Sequence, residues 1–137
     1  MRIAAESTFV VHSADELVRR ARRLLLMGEA QAAAVAARTA IDTKLRELMS
    51  HTPGAVVKKS RGRRGFRATI AERAIALKRA GVLTLCDQRE LQRLAGIGGR
   101  AAHNDPISLA DVVDLLHGAA AFVESSTDPW TERGLPI

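Results

Sequence analysis

Two side chains suited to phosphodiester chemistry, Arg100 and His103, stand in the run Gly98-Gly99-Arg100-Ala101-Ala102-His103-Asn104-Asp105, at the end of a helical pattern broken by glycines. A guanidinium holds phosphate oxygens through paired hydrogen bonds, and an imidazole titrating near neutrality can pass a proton. Gly96, Gly98 and Gly99 would each cost a helix about 1 kcal/mol relative to alanine, so some compensating use is expected of them. Missing side chains at Gly96 and Gly99 would let another backbone or a phosphate approach Arg100 and His103 closely. The plainer alternative is a helix-end histidine that completes a cap or a dimer contact.

A second source of chemistry is the basic peak Lys58-Lys59-Ser60-Arg61-Gly62-Arg63-Arg64-Gly65-Phe66-Arg67, with six cations in ten residues and no acid. Lys58, Lys59, Arg61, Arg63, Arg64 and Arg67 repel one another and suit a polyanion, or else form a solvated loop. The chain's formal charge of +6 points the same way, towards the RNA or DNA backbone. Base stacking is not expected, because the aromatic residues are only Phe9, Phe66, Phe122 and Trp130. Arg38 and Asp42, four apart on one helical face, and Asn104 beside the histidine are candidates to support the site.

His12, His51 and His117 are isolated and read as structural or solvated, and no pair of histidines has metal-ligand spacing. Cys86 is the sole cysteine, which excludes an internal disulfide and a multi-cysteine zinc site; it is expected to fill core. No metal and no cofactor are therefore assigned. No apolar run is long enough for a membrane span, and the start Met1-Arg2-Ile3-Ala4-Ala5-Glu6-Ser7 has no apolar stretch of the signal-peptide kind, so a cytoplasmic protein without membrane contact is expected.

Positioning these residues falls to helices, since nothing alternates at period two for long enough to build a sheet. Ser13 and Glu16 form a capping box ahead of a helix with Leu17, Ala21, Leu24 and Leu25 inward and Arg19, Arg20, Arg22 and Arg23 around them. After the turn Met27-Gly28-Glu29, a helix to Ser50 carries Ala34, Ala37, Ile41, Leu45 and Leu48 inward, with Lys44, Arg46 and Glu47 on a solvated face. Thr69 and Glu72 cap a third helix that closes at Gly81. A fourth is predicted to begin near Asp87 and to run inward through Leu91, Leu94, Ala95, Gly98, Ala101 and Ala102, leaving Gln92, Gly96, Gly99, Arg100 and His103 opposite. The fifth follows Ser108 with Leu109, Val112, Val113, Leu116, Ala120 and Val123 as its stripe. The expected fold is an all-α, four- to five-helix up-and-down bundle. Residues 1–12 form an N-terminal extension, 13–124 one helical domain with a basic loop at 55–68, and 125–137 a tail.

Several segments resemble the HEPN superfamily of small helical bundles: Ala34 to Leu48 with its Arg38 and Asp42, Ala74 to Leu83, and Ile97 to Asp105; the resemblance implies a domain over about residues 13–124. The resemblance implies a homodimer in which two Arg-x(4-6)-His motifs meet and cleave RNA without metal. The histidine would act as acid or base on a ribose 2′-hydroxyl and the arginine would stabilise the phosphate, leaving a cyclic phosphate end. With His103 as that histidine, the arginine and the asparagine that follows it become Gly98 and Gly99. A tyrosine that receives adenylyl groups in some members would fall at Asp105, and the chain has no tyrosine. The expectation is thus a dimeric module associated with nucleic acid, first of all RNA, and non-catalytic or weakly active. The alternative is an endoribonuclease, a toxin or defence effector, that uses His103 and Arg100. A protein partner is a further expectation, and Gly98→Arg would restore the motif spacing.

Overall fold

The computed structural model describes residues 12–57 and 68–125, so the cations of the basic peak, Lys58 to Arg67, lie outside the described residues. The chain folds as an all-α bundle. Among the described residues its helices are α1 (Ala14–Leu26), α2 (Ala30–Ser50), α3 (Ile70–Arg79), α4 (Leu85–Ala102) and α5 (Leu109–Ser125).

Local chemistry fixes the helix starts. Ser13 Oγ accepts the Glu16 N–H at 3.1 Å while the Glu16 carboxylate accepts the Ser13 N–H at 2.8 Å, and Thr69 with Glu72 repeats the arrangement at α3. A third box, unforeseen from sequence, joins Thr84 and Asp87 at 3.0 and 2.9 Å, so α4 begins at Leu85 rather than near Asp87. Ser108 Oγ accepts the Asp111 N–H at the start of α5.

Three helix ends, those of α1, α3 and α4, share one device. The N–H two residues beyond the C-cap returns to a carbonyl of the last turn: Glu29 to Leu24, Val82 to Leu77 and Asp105 to Arg100, at 2.8–2.9 Å. Each closure needs a left-handed residue, supplied by Gly28, Gly81 and, at α4, Asn104 with φ +61°.

Helix α2 is central and touches the other four helices. Its small residues Ala33, Ala34, Ala36, Ala37 and Ala40 are all buried, which lets neighbours approach on several sides, and Ile41 and Leu45 anchor the core together with Leu77, Leu94, Val112 and Leu115. Helices α4 and α5 run antiparallel, as the cross-links Arg93–Asp114 and Arg100–Asp111 require.

Three expectations change. Lys44 belongs to the interior at 7 % exposure, because α2 is covered on several faces; its stem is buried and its ammonium reaches Glu47 at 3.0 Å. Cys86 is exposed, lying in the first turn of α4 before that helix reaches the core at Leu91. Leu109 is 63 % exposed at the first position of α5, whereas Leu115 and Ala119 join the core because α5 packs on α1, α2 and α4 together.

Candidate functional site

The end of α4 carries the histidine. His103 is the C-cap, exposed, and its backbone N–H bonds Gly99 and Arg100 carbonyls. Asn104 makes the left-handed turn that follows. Gln31, from the start of α2, donates its side-chain N–H to the Ala101 carbonyl at 2.7 Å and so ties this helix end to the central helix. Sequence reasoning missed Gln31, since nothing local to it signals a contact seventy residues away.

Arg100 is drawn away to α5, where it pairs with Asp111 at 3.4 Å. Among the described residues, no hydrogen bond joins the side chains of Arg100 and His103. They share an exposed helix end, and the arginine's charge is answered by an acid.

The glycines divide by their surroundings. A Cβ at Gly96 or Gly99 would meet nothing within 4 Å, so no other part of the described chain uses the open face they provide. Gly98 is buried, and a Cβ there would lie 2.7 Å from Arg38 Cβ and Cδ. The aliphatic stem of Arg38 therefore crosses α4 directly over Gly98. Arg38 Nε is buried without a hydrogen-bond partner. Asp42, one turn further along α2, is occupied by Arg73 of α3 at 2.5 Å and by Arg46 at 3.0 Å. Arg38 and Asp42, offered together as support for the site, do not pair, because Arg46 of the same helix and Arg73 of α3 already hold the carboxylate.

Helix α1 supplies a second group of cations. Arg19, Arg20 and Arg23 are exposed and line a cleft of about 200 Å³ with His12 and Glu16. None of the three arginines makes an ion pair or side-chain hydrogen bond among the described residues, while Arg22 reaches Glu124 of α5 at 3.5 Å. The one acid in the cleft is committed to its cap: the Ser13 backbone N–H, then the Ser13 hydroxyl, hold the Glu16 carboxyl below its ordinary range. The sequence marks these arginines as the rim of an apolar stripe; that no carboxylate pairs with them directly, the Arg19 charge acting on Glu16 only from a distance, is a tertiary fact. Arg20 also borders a neighbouring groove of about 590 Å³ between α1, α2 and the end of α4, lined further by Leu24, Gln31, Val35, Ala102 and Asn104.

Between α4 and α5 charge is balanced at Arg93. Glu90 and Asp114 both bind Arg93, which raises its already high pKa, and the hydrogen bond from Arg93 lowers that of Asp114. Among the described residues, no group of three or more His, Cys, Asp or Glu side chains could hold a metal ion. None of the described helices is long and apolar enough to cross a membrane. No protein-family model, curated protein or solved structure matches this chain.

Proposed function

We propose that this chain is a HEPN-like helical module that associates with nucleic acid, RNA first, by its phosphate backbone, and acts as a homodimer with little or no catalysis. The observation that carries this reading is the set of exposed arginines on α1, Arg19, Arg20 and Arg23, which make no ion pair among the described residues and line a cleft. Phosphates neutralise such a set with release of counterions, and a scaffold of few aromatic residues favours backbone over base contacts. The cations of the basic peak, Lys58 to Arg67, would add to the same surface charge. Binding of a labelled single-stranded RNA is measured at rising salt. Replacing Arg19, Arg20 and Arg23 together by glutamine should weaken binding and reduce the slope of log affinity against log salt by about two units. Unchanged affinity and slope would remove α1 from the interface; no binding at low salt would remove the nucleic-acid reading. Sedimentation equilibrium tests the dimer.

Low catalytic power follows from the pairing of Arg100 with Asp111 and from the glycine at position 98. Loss of one phosphate-stabilising cation removes on the order of 3 kcal/mol from the transition state, a hundredfold or more in rate. A second reading, a metal-independent endoribonuclease using His103 and Arg100, draws on the exposure of His103 one turn from the open surroundings of Gly99. RNA incubated in EDTA with the wild type and with His103→Ala decides it: a cleavage product lost in the variant establishes the enzyme, and identical background in both discards it.

A further inference from the structure

Arg38 is a cation in search of an anion. Its Nε is buried with no partner, and its terminal nitrogens make no ion pair or hydrogen bond among the described residues. The nearest acid by helical spacing, Asp42, already serves Arg46 and Arg73. Asp42 is thus shared by one arginine of α2 and one of α3, and makes no bond to Arg38. Buried or half-buried charges are ordinarily paired, and an unsatisfied one in a folded protein calls for a ligand, an ion or water.

Gly98 supplies the second, independent observation. Arg38 Cβ, Cγ and Cδ lie at 2.7–2.9 Å from where a Cβ of residue 98 would stand, so only glycine lets the stem lie flat against α4. The packing fixes the stem while the side chain as a whole stays only partly buried, which presents its far end to solvent in a restricted orientation. A guanidinium held in this way loses little freedom on binding, and its planar donor edge matches the oxygens of a tetrahedral oxyanion.

We infer that Arg38 is an anion-binding residue at the seam of α2 and α4, and that its ligand is a phosphate group, either a phosphodiester of RNA or phosphate free in solution. This deepens the nucleic-acid reading, on which the RNA source rests, by assigning one phosphate to one side chain; the phosphate chemistry itself needs only the seam.

The buried Nε–H provides the probe, since shielding slows its exchange with water. In ¹⁵N-labelled protein the Arg38 Nε–H resonance is assigned by its loss in Arg38→Lys, then followed while inorganic phosphate, a short single-stranded RNA, or sodium chloride at matched ionic strength is added. The expected result is a saturable shift with phosphate or RNA and none with chloride; whichever of the two saturates at lower phosphate-group concentration identifies the source. Arg38→Met, which keeps a stem over Gly98, should weaken phosphate binding roughly tenfold or more, and Arg38→Lys, which keeps the charge, should weaken it less. No shift with either ligand, an equal shift with chloride, or full affinity in Arg38→Met overturns the assignment. RNA binding lost with the α1 arginines while Arg38 stays silent would overturn this inference alone. A phosphate response at Arg38 in a protein that binds no RNA would overturn the nucleic-acid reading alone.

Discussion

Gly96, Gly98, Gly99 and Gly118 all sit within helices, yet a methyl group would meet different surroundings at each. At Gly96 and Gly99 there is open space, so alanine should recover helix propensity, about 0.5–1 kcal/mol apiece and a few degrees in melting temperature. At Gly98 the methyl would press on the root of the Arg38 side chain, and at Gly118 on the fully buried Leu94. Neither neighbour can yield cheaply, and alanine there should destabilise by about 1–3 kcal/mol. Thermal unfolding of the four single variants checks both signs. The same contact makes Gly98→Arg a poor route to the motif spacing, because the new side chain would have to displace Arg38. Sequence alone identifies the helix-breaking glycines and not which of them are used: their contacts come from α2 and from Leu94, far away along the chain.

Helix ends were the most legible feature, because caps are local. The boxes at Ser13–Glu16 and Thr69–Glu72 follow directly from residue spacing, while Thr84–Asp87 escaped notice because its third helical residue is aspartate rather than glutamate. Thr84→Ala should cost about 1 kcal/mol, read from denaturant midpoints, and should fray α4 at the end remote from His103. Acid should act through the same kind of contact. The carboxyls of Glu16, held by Ser13, and Asp114, held by Arg93, have lowered pKa values in the folded protein relative to ordinary values of 4.5 and 3.8. A lowered folded pKa means that the contribution is complete above the ordinary value and is lost as pH falls through the lowered one. Unfolding midpoints should therefore fall as pH drops below these ordinary values, with a shallower fall in Glu16→Gln, which removes one linked carboxyl, and in Arg93→Met, which removes the partner of the other. Glu16 is exposed and the Asp114 side chain is 45 % exposed, so the effect of each is modest.

For the whole molecule, an excess of +6 on 137 residues means self-repulsion at low ionic strength. Added salt should raise the melting temperature until screening is complete near 0.15 M, and replacing Arg19, Arg20 and Arg23 by glutamine should raise the low-salt value and flatten the dependence. Equal salt profiles for the two proteins would mean that this cluster is neutralised after all. The sequence by itself determined the all-helical class, most helix ends, the inward stripes of α1 and α2, and the surplus of positive charge, because periodicity, capping and net charge are properties of neighbouring residues or of the sum. It placed Lys44 in solvent, Cys86 in the core and Arg38 beside Asp42. Tertiary structure reversed each of these, since burial depends on how many helices surround α2, and an ion pair goes to whichever cation arrives best placed. Asp42 was taken by Arg73 from α3, leaving Arg38 stretched over Gly98 without a partner. The glycines around His103 are legible as an anomaly in the chain; that one of them is the bed of an unpaired arginine was decided only when α2 came to lie across α4.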